Sequence, residues 1–305
     1  MTAAAFRHEV MLYDSREAFV DGAAPFIRAA VDAGEPIMVA IGAEKIELLR
    51  SRLGDDAEQV VFADMAELGA NPARIIPAWQ EFVDAHAELG RPMRGIGEPI
   101  WAGRSPTELI ECQCHEALLN VAFADAPDFH LICPYDTHEL SGEVIAEAER
   151  SHPFVAGAPS GAYRGDHSVP QFAEPLPEPP APVLEHAITH EVLGDLRANT
   201  AAAAERAGLS LQRIHDLVHA VHEIATNSLR HGGGQGRLHI WSEADTLICE
   251  VRDRGRIAQK PLVGRVRPAL NEAGGWGLWL ANQLIDLVQL RELPDGSVVR
   301  LHQRI

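Results

Sequence analysis

Long apolar runs are missing from this 305-residue chain. No stretch approaches the ~20 residues that a membrane-spanning helix needs, and Met1 to Val10 lacks the charged-then-apolar order of a secretory leader. Both absences predict a cytoplasmic protein with no membrane partner. Cysteine is scarce, and in that compartment the four present are expected as free thiols. Basic charge is short as well: 26 Lys and Arg stand against 44 Asp and Glu, for a net charge of −18. That balance argues against direct nucleic-acid binding or a face for anionic lipid. Only Lys45 and Lys260 are lysines, a bias we attribute to a GC-rich genome. Also absent is the Gly-x-x-x-x-Gly-Lys-Ser/Thr spacing of a phosphate-cradling loop. The segment nearest to it, Ile41-Gly42-Ala43-Glu44-Lys45-Ile46, lacks that spacing, so the N-terminal half is not expected to hydrolyse nucleotide.

What is there is enough sequence for two domains. From His8 to Arg150, apolar strand patterns alternate with helical ones: strands at 8–13, 36–41, 59–63, 93–100 and 129–135, helices at 15–33, 44–53, 72–89, 105–123 and 141–150. That alternation predicts a doubly wound, mostly parallel sheet, class α/β. Prolines then crowd residues 152–182, ending in Pro175-Leu-Pro-Glu-Pro-Pro-Ala-Pro182, which reads as a semi-rigid spacer. The expected boundaries are a first domain over 1–155, a linker over 156–182 and a second domain over 183–305. Cys112 and His115 share a helix face, and Cys133 on a neighbouring strand could join them; Cys114 points roughly 200° away from Cys112. The grouping invites a metal or redox reading, and a plainer one stands beside it: a lone buried Cys is usually a small hydrophobe, and a fourth zinc ligand cannot be placed.

The richest stretch follows. Ser210 is an N-cap, Leu211 to His231 is one helix, and Gly232-Gly233-Gly234 closes it. Glu223, Asn227 and His231 fall in one band, each four residues from the next, beside an apolar stripe of Leu217, Val218, Val221, Ile224 and Ala225. A carboxylate so placed can take a proton, and an amide oxygen one turn on can ligate Mg²⁺. His215, His219 and His222 share another face with Thr226, read as a solvated or partner-facing surface, with a zinc site as the alternative. Two strands at 237–243 and 246–253 come next, the second ending in Asp253-Arg254-Gly255. An irregular segment runs over 256–273, then Gly275-Trp276-Gly277-Leu278 opens an apolar helix, and a hairpin spans 288–305.

In that order the motifs resemble the GHKL ATP-binding fold, an α/β sandwich with a mixed sheet, and within it the anti-sigma-factor serine kinases. The likeness covers roughly the last 120 residues. It implies ATP and Mg²⁺ as cofactors, Glu223 as general base, and Asn227 as the Mg²⁺ ligand. Asp253 would accept a hydrogen bond from the adenine amino group and Gly255 would admit backbone to the base. Gly275, Gly277 and Leu278 would form the phosphate-facing helix start, and Ser297 would stand where the family has a Thr near adenine. Arg230 or His231 would reach a phosphate. Two departures stand out: Ile257 replaces the second glycine of Asp-x-Gly-x-Gly, and Trp276 sits inside the Gly-x-Gly.

In the first domain, the runs His8 to Tyr13, Arg94 to Trp101, Glu111 to Asn120 and Cys133-Pro134-Tyr135-Asp136 carry a second likeness: they resemble the MEDS sensory domain, a DcmR-type, RecA-like pseudo-enzyme. The resemblance implies a small-molecule ligand of unknown identity. Together the two likenesses imply a sensory anti-sigma regulator that phosphorylates Ser or Thr of an anti-anti-sigma (STAS) partner, sequesters a sigma factor, or both, with a homodimer among the assemblies it could form. A sensor histidine kinase, suggested by His190-Glu191, and an inactive nucleotide-binding docking module are the alternatives.

Overall fold

A computed structural model describes residues 6–165, 174–181, 183–256, 261–269 and 274–305. The chain divides into two compact units, Met1–Phe172 and Ala173–Ile305, so the Pro-rich stretch is shared between them. Ile257 and Pro182 lie outside the described residues.

The first unit runs β1 (Arg7–Tyr13), α1 (Arg16–Ala33), β2 (Ile37–Ile41), α2 (Ala43–Leu53), β3 (Val61–Asp64), α3 (Met65–Leu68) and α4 (Ile75–His86). It continues through β4 (Met93–Gly97), α5 (Pro106–Ala122), β5 (Phe129–Asp136), α6 (Gly142–Ser151), β6 (Phe154–Val155) and β7 (Ala158–Pro159). The sheet order is β3-β2-β4-β5-β1-β6-β7, parallel except for β6 against β7. All five residues of β2 are buried, as a strand covered on both faces requires. The Ser15 hydroxyl caps α1 by accepting from the Ala18 amide, and Gly34, at φ 64°, ends it in the left-handed region that favours glycine. Phe19, Ala23, Ala24, Ile27 and Ala30 form its buried face. The long helix expected over 72–89 is instead α4 between two short 3₁₀ turns, Pro72–Arg74 and Ala87–Leu89. Pro77 has no N–H to give the Ala73 carbonyl, so the α pattern cannot run through that turn.

The second unit runs β8 (Leu184–Ile188), α7 (Leu193–Ala207), α8 (Leu211–His231), β9 (Gly236–Glu243), β10 (Thr246–Asp253), α9 (Trp276–Leu284), β11 (Leu287–Leu293) and β12 (Gly296–Arg304). Its sheet order is β11-β12-β10-β9-β8. The expected mixed sheet is corrected here: every described ladder is antiparallel. Short turns join β9 to β10 and β11 to β12, and a connection of that length can only reverse direction.

One sheet face packs on α8. Leu217, Val221, Ile224 and Ala225 meet Leu238, Ile240, Leu247, Cys249 and Val251 in a single core. Fully burying residues of this size stabilises the sandwich by about 1.5–3 kcal/mol each. The other face is polar at its centre. Glu250 is buried and accepts from Arg300 and Arg252, at 2.8 and 2.5 Å. Arg300 also donates to the Pro177 carbonyl at 2.6 Å, Arg291 to the Glu174 carbonyl at 3.2 Å, and Arg252 pairs with Glu178 at 2.9 Å. The segment at 174–178 therefore lies on β10, β12 and β11.

Candidate nucleotide site

The helix α8 positions the first group. Its start is fixed by the Ser210 hydroxyl, which accepts from the Arg213 amide, and its apolar stripe fixes its rotation. Glu223 and Asn227 then lie half-buried at the edge of that stripe. Gly277, in the first turn of α9, is packed against both. A Cβ there would stand 2.8 Å from Asn227 Nδ2 and 3.1 Å from Glu223 Oε2. Only glycine lets the start of α9 come this close to the carboxylate–amide pair. Gly275 is the N-cap of α9 at φ 84°, a left-handed position again suited to glycine. No side chain caps α9, so its first-turn amides are left to other acceptors.

The strand β10 positions the second group. Asp253 is its last residue and pairs in register with Ser297 of β12. The Ser297 hydroxyl donates to Asp253 Oδ1 at 3.0 Å, and the Gly255 amide donates to the same oxygen at 2.8 Å. Glycines crowd this carboxylate. A Cβ on Gly232 would stand 2.5 Å from Asp253 Cγ, one on Gly255 would meet the His231 carbonyl at 2.5 Å, and one on Gly296 would strike the Asp253 backbone. The backbone is thus drawn tightly around Asp253, and Gly232 joins this group to the C-terminal end of α8.

The sequence-predicted residues fall into place unevenly. Glu223, Asn227 and Gly277 are brought together, as are Asp253, Gly255 and Ser297. Leu278 is buried, with its side chain against Gly264 of the 261–269 segment, where Asn282 Nδ2 donates to the Gly264 carbonyl at 2.9 Å. Any role of Leu278 toward a ligand is through its amide. Arg230 and His231 are exposed, and no described contact joins their side chains to Glu223 or Asn227. Trp276 packs edge-on against Trp279, with ring centroids 5.7 Å apart. His190, of the phosphoacceptor reading, is exposed in the turn between β8 and α7; a single helix, α7, separates it from α8.

The first unit holds two clusters that spacing could not reveal. At the C-terminal edge of its sheet, Lys45 Nζ donates to Glu98 Oε1 and to the Tyr13 hydroxyl, each at 2.5 Å, and Tyr13 donates to Glu98 at 2.6 Å. Burial raises the Glu98 carboxyl above its ordinary range, against the pull of Lys45, and burial with the Glu98 charge raises the Tyr13 phenol. Crevices at strand C-termini are the usual ligand positions of open α/β sheets. The Cys112–His115–Cys133 grouping is corrected: Cys133 lies with His8, Glu116 and His152, the one group of three or more candidate metal ligands among the described residues. Glu116, one turn beyond Cys112 on α5, is the α5 residue that meets Cys133. His215, His219 and His222 form no such group among the described residues.

Comparison with known proteins agrees with this division. Residues 7–153 match the family model of MEDS, the MEthanogen/methylotroph, DcmR Sensory domain. Residues 187–302 match that of the Histidine kinase-like ATPase domain. The chain therefore combines a MEDS domain with a GHKL-type, histidine kinase-like ATPase domain. No curated protein matches it. Among solved structures it is similar to the RsbU and RsbW domains of Rv1364c from Mycobacterium tuberculosis, at 22% identity and a TM-score of 0.32, over 41% of this chain. The chain spans 33% of that structure's length. No helix among the described residues is long and apolar enough to cross a membrane.

Proposed function

We propose that the second domain binds ATP with Mg²⁺ and transfers the γ-phosphoryl group to a Ser or Thr of an anti-anti-sigma (STAS) partner, with sigma-factor sequestration as the same surface's other outcome, under control of a ligand at the MEDS domain. The observation that carries the reading is the seating of Gly277 against Glu223 and Asn227. The first-turn amides of α9, the Glu223 carboxylate and the Asn227 side-chain amide converge there, and phosphoryl transfer needs little beyond positioning and charge stabilisation. The residues fit the nucleotide. Asp253 keeps acceptor capacity beyond Ser297 and Gly255. ATP, when bound, supplies the electrophilic phosphorus, and Mg²⁺ neutralises the phosphate charge. Asp253, Ser297 and Gly255 would hold the adenine end, Asn227 the metal, and the first-turn amides of α9 the phosphates. Glu223 would take the proton from the attacking hydroxyl.

Incubation of the full chain with labelled ATP and candidate STAS proteins tests this. Phosphoserine or phosphothreonine on a partner is expected. Phosphohistidine on the chain would point to the histidine-kinase reading, and ATP binding with no transfer to a docking module. Trp276, bulky where backbone should meet phosphate, is the residue that favours that last reading.

A further inference from the structure

The geometry points to a zinc site in the MEDS domain, formed by His8, Glu116, Cys133 and His152. These four residues come from β1, α5, β5 and the end of α6, and all four are buried. Their candidate ligand atoms all lie within 4.8 Å of one another. His8 Nε2 is 3.1 Å from Glu116 Oε2 and 3.3 Å from Cys133 Sγ, and His152 Nε2 is 3.1 Å from that same Glu116 oxygen. In tetrahedral zinc, bonds of about 2.0–2.3 Å place neighbouring ligand atoms roughly 3.3–3.6 Å apart. The cluster is thus a few tenths of an ångström short of a zinc shell on three of its edges.

The atoms behind the cluster decide which way the imidazole lone pairs face. His8 Nδ1 lies 3.2 Å from Asn120 Oδ1. The Asn120 amide is held in that orientation because its Nδ2 donates to the Ser151 carbonyl at 2.7 Å. His152 Nδ1 lies 2.8 Å from the Ala148 carbonyl. Both outer nitrogens face acceptors, so both carry the proton, and both Nε2 lone pairs face inward. Outer-nitrogen hydrogen bonds of this kind orient metal-binding histidines. Two inward lone pairs then confront a carboxylate oxygen, and Glu116 Oε1 and His152 Nε2 have no hydrogen-bond partner among the described residues. A divalent cation resolves that conflict. With one carboxylate and one thiolate, Zn²⁺ also leaves the buried cluster with no net charge, which a dry interior demands. Thiolate and imidazole together select zinc over Mg²⁺ or Ca²⁺. Four protein ligands leave no open position, so the site holds structure rather than activating water. It ties the first strand of the domain to its last helix.

Metal content of the full chain, purified from zinc-supplemented cells and dialysed, tests this. We expect about one zinc per chain and, by X-ray absorption at the zinc edge, one sulfur with three nitrogen or oxygen neighbours. Cys133→Ser and His152→Ala should lose most of the metal, while Cys112→Ser and Cys249→Ser keep it. Cobalt exchange should give a thiolate-to-cobalt charge-transfer band that Cys133→Ser abolishes. Retention of under about a tenth of an equivalent by the zinc-loaded parent, or a zinc shell without sulfur, overturns the assignment. Should the substituted chains fail to fold, the absorption spectrum of the parent alone decides.

Discussion

Gly277 shows how one missing Cβ can shape a site. A methyl group there would press on Asn227 Nδ2 and on Glu223 Oε2. Gly277→Ala should therefore push α9 away from α8 and weaken ATP binding by at least about tenfold, roughly 1.4 kcal/mol, in calorimetry on the full chain. Parent affinity in that variant would mean α9 is not the phosphate-facing helix. Glu223→Gln should behave differently, because it keeps the shape and removes the base. Phosphoryl transfer should fall by about a hundredfold or more while ATP affinity stays within a few-fold. Transfer at the parent rate would make Glu223 a structural residue. In the MEDS domain, His130 is a residue whose titration has a sign. Burial lowers its pKa below the ordinary 6.5, against the pull of Glu9 at 3.1 Å. The fold favours the neutral ring, so the unfolded chain takes up protons first as pH falls. Stability from this group is complete above pH 6.5 and declines below it. His130→Gln should flatten the drop in urea midpoint between pH 7 and pH 5, and an unchanged drop would exclude His130 as its source. These residue-scale features were unequally legible. Glu223 and Asn227 announced themselves by helical spacing. His8, Glu116 and His152 gave no spacing signal, because the topology rather than a local motif brings residues so far apart in sequence together.

At the scale of elements, strong local chemistry was readable and weak chemistry was not. The bounds of α8 could be placed from sequence because an N-cap serine, an unbroken 3.6-residue stripe and a glycine run agree. By contrast β6 and β7 are two residues each, below the length at which alternation exists to be read. The Pro-rich composition at 174–181 suggested a spacer, yet part of it is held on the sheet by three arginines whose partners are mostly backbone carbonyls, which composition cannot show. Arg300 bridges the Pro177 carbonyl and the buried Glu250. Glu250→Ala leaves Arg300 facing a dry interior without its countercharge. It should cost about 3–5 kcal/mol of stability, whereas replacing both by hydrophobic residues of like volume should be near neutral. Urea denaturation of the full chain, followed by emission from Trp241 beneath Arg300, checks this. A double replacement as damaging as the single one would show that shape rather than charge balance governs the face.

Across the whole molecule, each unit has a core of its own: one cluster around Ile27, Val39 and Leu49, another around Leu217, Ile224 and Cys249. Such a chain is not expected to unfold in a single two-state step, and each ligand should act chiefly on the unit that binds it. The run around Lys45 lacks the phosphate-cradling loop spacing, and the Lys45 amine is already engaged by Glu98 and Tyr13. ATP with Mg²⁺ should therefore bind, and chiefly stabilise, the Ala173–Ile305 unit. A ligand at a hundredfold excess over its dissociation constant adds about 2.7 kcal/mol to the state that binds it. In a differential thermal scan of the full chain, one transition should rise by several degrees with ATP and the other should move far less. Asp253→Asn exchanges the carboxylate that would read the adenine amino group for an amide. It should remove that rise by weakening ATP at least about tenfold, while leaving both transitions of the nucleotide-free chain nearly where they were. A full ATP-dependent rise in Asp253→Asn would refute the adenine assignment, and movement of the MEDS transition with ATP that survives Asp253→Asn would refute its reading as a domain without a nucleotide site.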